Sequence, residues 1–466
     1  MTAHDLVAMS VGSLVDAYAS GALSPVEVVE ATLDHVEAVN PKVNALFSVR
    51  PEEARAQARA SEARWRAGAP RGLLDGVPTT IKDSIAKTGW PYFHGIGANR
   101  AAPPSTFDSP PAARLDEAGA IVFAKTTMPD CGLLAAGVST LFGVTRNPWK
   151  LSFNTGGSSA GAGAALACGM GFLSIGSDIA GSVRLPASHC GLAALKPTQG
   201  RIAHLSPDTM RSAGPMGRRV DDIARLLTVI GQPDERDPWC LGADPTAYHD
   251  RLERDLTGVR VGILTEMGFG AQAEPAVVAV VEAAGRALAD AGAVVAPMPP
   301  PLDVDGYAAI DRVLQVRGLA EYRALPQHGP DDFSPVVLAW CGEAEAYSAL
   351  DHAEALREIA AIRAKVIAAC AGFDYVLAPT LPVVNFPAEA SAVDDGLPLG
   401  HATFTALFNQ TGQPAASVCF GFDARGLPIG VQVVGRRFDD LGVLQVSRAL
   451  EEARPAAMDW PIEPRH

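Results

Sequence analysis

The sequence predicts an α/β fold in which a β-sheet is covered by helices on both faces. From Gly76 onward, short apolar segments typical of strands alternate with segments of helical pattern. The 466 residues are 48% hydrophobic and 19% charged, which is the composition of a globular protein that buries a large core. No Pro/Ser-rich linker and no internal repeat divides the chain. We therefore expect one domain, residues 1–466, built around the sheet.

Two helices are predicted ahead of the first strand. Ser-Pro-Val-Glu at residues 24–27 has the form of a capping box with proline at the first helical position. It predicts a helix that runs to about Val39, because Asn-Pro follows. An alanine- and arginine-rich segment predicts a second helix over 51–67. Together they predict an N-terminal helical layer over about residues 1–70.

The later elements are short and follow one another closely. Strands are predicted at 120–124, 259–264, 293–295, 375–378, 416–420 and 430–434. Helices are predicted at 111–117, 160–167 and 273–291. The less regular segments 203–258 and 299–400 are expected to elaborate a pocket around a catalytic core at about 71–202.

Charge and composition exclude several kinds of partner. The net charge is −14 and no cluster of lysine and arginine occurs, so nucleic acid and anionic membranes would be repelled. No signal peptide and no bilayer-spanning stretch is recognised, which predicts a cytoplasmic protein. The seven cysteines lack CxxC spacing and predict reduced thiols without a metal site. We expect a small-molecule ligand, no cofactor and no metal, and leave a homodimer open.

Two glycine-flanked hydroxyl clusters, centred on Ser158 and Ser182, are the most informative feature of the chain. Upstream, Lys82 ends an apolar run, where partial burial would lower its pKa and make it a base near pH 7. Two serines and a lysine can together perform nucleophilic acyl transfer without histidine or metal. The ordinary alternatives are a solvated surface lysine and a glycine-rich turn whose serines cap a helix.

The segment from Asp178 to Arg184 has the composition of an oxyanion-binding turn. Small residues at 180 and 181 would let a substrate carbonyl approach successive backbone N–H groups. Ser182 would then lie where an attacking hydroxyl is needed. The alternative is an ordinary loop closed by an ion pair between Asp178 and Arg184.

A rival hypothesis uses the neighbouring serine. Residues 157–161, Gly-Ser-Ser-Ala-Gly, match the G-x-S-x-G elbow of α/β-hydrolases, with Ser159 as the nucleophile of an esterase. That fold requires a late acid followed by a late histidine. Only His401 lies in a suitable loop, and no neighbouring motif marks it.

Three motifs together resemble the amidase signature family. They are Gly-Val-Pro-Thr-Thr-Ile-Lys-Asp ending after Lys82, Gly-Gly-Ser-Ser around Ser158, and Asp-Ile-Ala-Gly-Ser-Val-Arg around Ser182. The 24-residue spacing of the two serines is also that of the family. The resemblance continues over almost the whole chain, at residues 142–149, 194–198, 409–415 and 426–435. Departures at Ala160, Ser177 and Ala180 touch no reacting group.

The resemblance implies a single domain with a large mixed sheet and a Ser–cisSer–Lys mechanism that needs no cofactor. Ser182 would attack the carbonyl, and Ser158, joined to Gly157 by a cis peptide bond, would relay the proton. Lys82 would be the terminal base. The implied oxyanion hole consists of four consecutive backbone N–H groups, those of Ile179, Ala180, Gly181 and Ser182.

The resemblance implies substrate contacts less specifically. Gly132 is expected to line the substrate channel, Leu133 to supply an apolar wall, and Thr155 to support the serine turn. The loops 133–136 and 205–215 look apolar or uncharged, and no arginine clamp is recognised in them. We therefore expect an uncharged aryl or alkyl amide, anilide or carbamate (a urethanase activity) and expect free carboxylates to be poor substrates.

Several alternatives stay open beside this interpretation. Members of the resembled family also cleave small acid amides and ureido acids, and some act within a tRNA-dependent amidotransferase. A non-catalytic binding protein on the same fold is a further alternative. The intact lysine and serines argue against that last one.

Overall fold

The computed structural model describes residues 2–394 and 396–466. In this part of the chain there are 14 α-helices and 13 β-strands. The helices are α1 Ala3–Ala8, α2 Val11–Ser20, α3 Pro25–Val43, α4 Pro51–Arg66, α5 Pro110–Glu117, α6 Ala160–Ala167, α7 Arg184–Cys190, α8 Val220–Ile230, α9 Pro275–Asp290, α10 Ala308–Arg323, α11 Pro335–Gly342, α12 Ala349–Cys370, α13 Thr403–Gln410 and α14 Asp440–Glu452. The strands are β1 Leu46–Phe47, β2 Pro78–Lys82, β3 Ile121–Thr126, β4 Val138–Ser139, β5 Gly143–Val144, β6 Leu173–Asp178, β7 Ala193–Lys196, β8 Ser212–Gly217, β9 Arg260–Ile263, β10 Val294–Pro297, β11 Tyr375–Pro379, β12 Ala415–Phe422 and β13 Pro428–Gly435.

Eleven of these strands form one mixed sheet, in the order β1-β3-β2-β6-β8-β7-β12-β13-β11-β9-β10. Strand β2 is parallel to both β3 and β6. The middle of the sheet, from β6 through β8, β7, β12 and β13, is antiparallel. Strands β11, β9 and β10 form a second parallel group. The predicted α/β fold, a single domain with a large mixed sheet, is confirmed.

Helices cover both faces of the sheet. Along β11, successive side chains belong in turn to two different hydrophobic clusters. Tyr375 and Leu377 belong to one hydrophobic cluster, whereas Val376 and Ala378 belong to another. Successive side chains of a strand point to opposite faces, so the two clusters lie on opposite sides of the sheet. The first contains residues of α8 and α14, and the second contains residues of α10 and α12.

The predicted end of the first long helix is wrong by one turn. Helix α3 continues through Pro41 to Val43 and ends at Asn44, which adopts the left-handed conformation. A proline inside a helix removes one backbone hydrogen bond and crowds the carbonyl group four residues earlier, so the turn that contains Pro41 needs support from other contacts. Here Val43 is buried, and the Asn40 side chain accepts hydrogen bonds from the backbone of residues 45 and 46.

Strands β6, β7 and β8 were not predicted, although they lie in the middle of the sheet. Strand β6 reads Leu-Ser-Ile-Gly-Ser-Asp and β8 reads Ser-Ala-Gly-Pro-Met-Gly, so neither has the apolar content that usually marks a strand. Both are buried along their whole length. The segment 203–258 therefore contributes to the core of the sheet and not only to loops around a pocket.

This topology brings the predicted reactive residues together. The parallel strands β2 and β6 are neighbours, so their carboxyl ends meet at the same edge of the sheet. Lys82 is the last residue of β2, and the turn that carries Ser182 follows β6 directly. Ligand sites of open α/β sheets occur at such edges. Among the described helices, none is long and apolar enough to cross a bilayer.

Candidate active site

Lys82 is completely buried at the end of β2, and its ammonium group contacts hydroxyl and carbonyl groups. Its Nζ lies 2.8 Å from Ser158 Oγ, 3.1 Å from Ser177 Oγ and 3.4 Å from the carbonyl oxygen of Ser177. In the described chain, Lys82 has no carboxylate within salt-bridge distance. A lysine in such surroundings is not the solvated surface charge that was the ordinary alternative.

The surroundings of Lys82 also favour its neutral form. Burial lowers the pKa of Lys82 to about 7, against an ordinary value of 10.5. The negative charge of Asp178 opposes this effect, while the positive charge of Arg211 adds to it. A substantial fraction of Lys82 is then an uncharged amine at neutral pH, able to accept a proton.

Ser158 lies at the turn that precedes α6, and the peptide bond joining Gly157 to Ser158 is cis. Gly157 is in a crowded position, because a Cβ there would lie 2.5 Å from the backbone N and O of Ala136. The backbone N–H of Ser159 donates to the carbonyl oxygen of Ser182 at 3.1 Å. The two serine segments are therefore held side by side.

The turn after β6 is organised by the carboxylate of Asp178. One carboxylate oxygen accepts the N–H of Gly181 at 2.7 Å and the other accepts that of Val183 at 3.2 Å. Gly181 has φ +128°, and a Cβ there would lie 2.4 Å from Thr405 Oγ1, so only glycine fits this turn. The same turn carries Ser182, whose hydroxyl makes no hydrogen bond within the described chain.

One of the four predicted oxyanion-hole groups is therefore engaged elsewhere. The Gly181 N–H points to Asp178, whereas the N–H groups of Ile179, Ala180 and Ser182 have no acceptor within the residues described. An amide that already donates to a buried carboxylate is poorly placed to stabilise a second anion. Three of the four amides expected to form the oxyanion hole are thus without an acceptor in the described residues, and their role stays a prediction.

Asp178 is held by a completely buried network that reaches across the sheet. The Arg184 guanidinium donates to Asp178 through Nε at 3.0 Å and through Nη2 at 2.9 Å. It also donates to Asn409 Oδ1 at 2.6 Å and to Gln432 Oε1 at 2.7 Å. Burial alone would raise the pKa of Asp178, but the Arg184 charge and these hydrogen bonds outweigh it and hold the pKa below its ordinary value. The ion pair predicted between residues 178 and 184 is present, and it supports the turn.

We expect Arg184→Met to destabilise the protein by about 3–5 kcal/mol, because it leaves the buried Asp178 carboxylate without its counter-ion. The free energy of unfolding in urea measures the effect. Arg286→Met is the matched control, since the Arg286 side chain is 68% exposed and its loss should change stability by no more than about 0.5 kcal/mol. Equal stabilities for the two variants would contradict the structural role of Arg184.

Ser158 and Ser182 face one small cavity of about 20 Å³. Five residues predicted from sequence line it: Gly132, Leu133, Ser158, Ile179 and Ser182. Seven further residues line it without having been predicted: Ser84, His94, Met128, Cys131, Ser177, Arg211 and Arg317. A cavity of this size holds about one water molecule, so a substrate enters only when lining side chains move. A larger cavity of about 670 Å³ lies elsewhere and contains none of the three predicted catalytic residues.

The expectation that no arginine faces the pocket is wrong. Arg211, in the loop 205–215 that was interpreted as uncharged, lines the cavity beside Ser182, and Arg317 of α10 joins it. Arg211 was visible in the sequence as the charged residue just ahead of β8. No local pattern indicated Arg317, because only the packing of α10 over the site brings it there.

Gly132 and Thr155 occupy different positions relative to the serines. A Cβ at Gly132, which has φ +68°, would lie 3.1 Å from Ser158 Oγ, so glycine keeps this side of the cavity open. Thr155 is not among the residues that line the cavity. It lies behind the turn, where its hydroxyl donates to the Gly156 carbonyl oxygen at 3.1 Å.

The elbow hypothesis finds no histidine beside Ser159. The Ser159 hydroxyl donates to the carbonyl oxygen of Ser177 at 3.4 Å. His401 is buried and lies 3.2 Å, at Nε2, from the carbonyl oxygen of Ala135. Burial lowers the pKa of His401 to about 4. In the described chain no histidine hydrogen-bonds to the Ser159 hydroxyl, so this serine lacks the base that the elbow mechanism requires.

Comparisons with known proteins identify the family of this chain. The sequence profile of the Amidase family matches residues 27–444. The chain is 32% identical to an acylamidase of Rhodococcus erythropolis, over 99% of each chain. It is 33% identical to a glutamyl-tRNA(Gln) amidotransferase subunit of Synechococcus sp., over 93% of this chain and 94% of the relative.

Two solved structures resemble the fold closely. One is a 6-aminohexanoate cyclic dimer hydrolase, with a TM-score of 0.87 and 29% identity over 97% of this chain and 98% of the other. The second is a bacterial aryl acylamidase of the amidase signature enzymes, with a TM-score of 0.86 and 28% identity over 96% of each chain. Sequence profile, relatives and fold thus agree over nearly the full length, and the chain belongs to the amidase family, the amidase signature enzymes.

Proposed function

We propose that this protein is a hydrolase that cleaves the C–N bond of amides through an acyl-enzyme, with Ser182 as nucleophile, Ser158 as proton relay and Lys82 as base. The observation that carries the proposal is the 2.8 Å contact between Lys82 Nζ and Ser158 Oγ, beside a cavity that Ser182 also lines. Membership of the amidase family supports amide hydrolysis as the class of reaction.

The proposed first step forms a bond between Ser182 Oγ and the substrate carbonyl carbon. The Ser182 proton passes to Ser158 as the Ser158 proton passes to neutral Lys82. The carbonyl oxygen becomes an oxyanion, which the free N–H groups of Ile179, Ala180 and Ser182 stabilise. Protonated Lys82 then returns the proton along the same path to the leaving nitrogen, and the C–N bond breaks. Water, activated in the same way, releases the acid and regenerates Ser182.

One link of this relay, the contact between Ser158 and Ser182, is not formed in the structure. Within the described chain Ser158 and Ser182 share no hydrogen bond, although they face the same cavity. Catalytic hydrogen bonds often form only when the substrate is bound. We infer that substrate binding, which must open the small cavity, also brings the two hydroxyl groups into contact.

Apolar side chains suggest the chemical class of the substrate. Leu133, Ile179 and Met128 line the cavity, and burying an apolar group against them contributes roughly 25 cal/mol per Å². We propose amides with an apolar acyl or aryl part, including anilides, and carbamates that present the same carbonyl geometry. The names of two relatives, an acylamidase and an aryl acylamidase, support this class. The test is a hydrolysis screen across nitroanilides, primary amides and aryl carbamates, with Ser182→Ala as the inactive control.

The pH dependence of kcat/KM should follow the proton on Lys82. The pKa of Lys82 is lowered to about 7, and the base must be neutral, so activity should rise through about pH 7 and stay high in alkaline solution. The measurement is kcat/KM for a neutral nitroanilide from pH 5.5 to 9.5, with the folded state checked at each pH. A rate that falls as the pH rises through 7 would mean that a protonated group acts instead.

Chelators should leave the activity unchanged. In residues 2–394 and 396–466, no group of three or more His, Cys, Asp or Glu side chains is placed to hold a metal ion. We expect full activity after dialysis against EDTA, measured as kcat on the same nitroanilide. Activity that is lost in EDTA and restored by zinc would contradict the serine–lysine mechanism.

A further inference from the structure

Arg211 lines the cavity beside Ser182, and among the described residues no carboxylate lies within salt-bridge distance of its guanidinium. The only hydrogen bond of its side chain within the described residues runs from Nη2 to the carbonyl oxygen of Ser206, at 2.6 Å. Its Nε is buried and has no acceptor in that part of the chain. A buried donor of a charged group is costly to leave unpaired, so this guanidinium favours a ligand that accepts hydrogen bonds.

Arg317, the second arginine of the cavity, is paired on both sides. Its Nη1 donates to Asp208 at 2.9 Å, and its Nε donates to Glu321 at 3.0 Å. The second oxygen of Asp208 accepts the backbone N–H groups of Met210 and Arg211. The acid closest to Arg211 in sequence is therefore used by Arg317 and the backbone, and within the described residues it makes no hydrogen bond or ion pair with the Arg211 head group.

The other polar groups that line the cavity bring no negative charge to Arg211. Ser84, Ser158, Ser177 and Ser182 are neutral hydroxyls, and burial lowers the pKa of His94, which favours its uncharged form. No aspartate or glutamate lines the cavity in the described part of the chain. The nucleophile and an unpaired guanidinium thus face the same space.

We propose that Arg211 is a specificity-determining residue that binds a carboxylate of the substrate, so that the preferred substrates are amides of small acids with a carboxylate near the scissile carbonyl. A guanidinium binds a carboxylate through two parallel N–H donors, which also orients the substrate. Leu133, Ile179 and Met128 then contact the short apolar part between the two groups. The proposal rests on the proposed function of Ser182. It narrows the apolar amides proposed above to those that also carry a carboxylate, and it replaces the expectation that free carboxylates are poor substrates.

The test measures binding without turnover, in the Ser182→Ala protein. Two anilides of equal chain length are compared by calorimetry: N-phenylsuccinamic acid, which carries a carboxylate, and N-phenylbutyramide, which is neutral. We expect the carboxylate to bind at least tenfold more tightly. Ser182→Ala combined with Arg211→Gln should lose that preference, and Ser182→Ala combined with Arg286→Gln, a change at an exposed arginine of α9, should keep it.

Equal affinities for the two anilides, no binding of the carboxylate at millimolar concentration, or a preference that survives Arg211→Gln would each overturn the proposal. If Arg211→Gln does not fold, the comparison of the two anilides on the protein with Arg211 intact still decides. Hydrolysis is assayed separately with both anilides. Turnover that persists in Ser182→Ala overturns the proposed function alone, whereas a missing carboxylate preference overturns only the role of Arg211.

Discussion

Ser182→Ala is expected to remove measurable amide hydrolysis while the protein stays folded. The proposed acyl-enzyme forms on the Ser182 hydroxyl, and loss of a nucleophile in enzymes of this kind lowers kcat by about 10⁴-fold or more. The Ser182 hydroxyl makes no hydrogen bond in the described chain, and the turn around it is held by Asp178 through the backbone of Gly181 and Val183. Truncation to alanine therefore removes the reacting atom and few stabilising contacts.

The nucleophile can be identified independently of the natural substrate. A fluorophosphonate reacts with an activated serine, and mass spectrometry of the labelled peptide should place the adduct on Ser182. The adduct should be missing in Ser182→Ala. It should be present in Lys125→Met, which changes a buried lysine that hydrogen-bonds to neither Ser158 nor Ser182. An adduct on Ser159 would support the elbow hypothesis and contradict the proposed mechanism.

Lys82→Ala is expected to lower kcat/KM by about 10³-fold or more, because the relay loses its terminal base. Lys82→Arg should not restore activity, since a guanidinium stays protonated and cannot accept the proton. Both variants are assayed with a neutral nitroanilide across the pH range, and circular dichroism confirms that each is folded. The residual activity of Lys82→Ala should no longer rise through pH 7.

A second buried lysine provides the matched control. Lys125 lies on the neighbouring strand β3, and burial lowers its pKa to about 8. Its Nζ donates to the backbone carbonyl oxygens of Asp83, Ile85 and Pro91, so its role is structural. Lys125→Met should reduce stability without moving the midpoint of the pH profile. A Lys82→Ala enzyme that retains most of its activity would exclude Lys82 as the base.

The fold could be predicted from the sequence where elements have a clear local pattern. The apolar run at 120–124 and the alanine-rich helix at 160–167 appear in the structure as β3 and α6. Strands β6 and β8 could not be recognised, because serine, glycine and proline replace the usual apolar residues. Such strands are specified by their neighbours, which pair with them on both sides and bury them completely.

By itself, the sequence determined the family and named the residues that are proposed to carry the chemistry. The motifs around Lys82, Ser158 and Ser182 have the residue types that acyl transfer requires, and together they indicate the family to which the chain belongs. The sequence could do this because each motif is local. A glycine permits a tight turn at its own position, and a lysine at the end of an apolar strand is buried together with that strand.

Only the tertiary structure decided how those residues are used. In the folded chain the Gly181 amide donates to Asp178, and Arg211 and Arg317 line the cavity beside Ser182. Arg317 reaches the site because α10 packs over it, and Arg211 because β8 pairs with β6. These contacts join residues far apart in the chain, and they depend on strand order and helix packing, which no local pattern of residue types encodes.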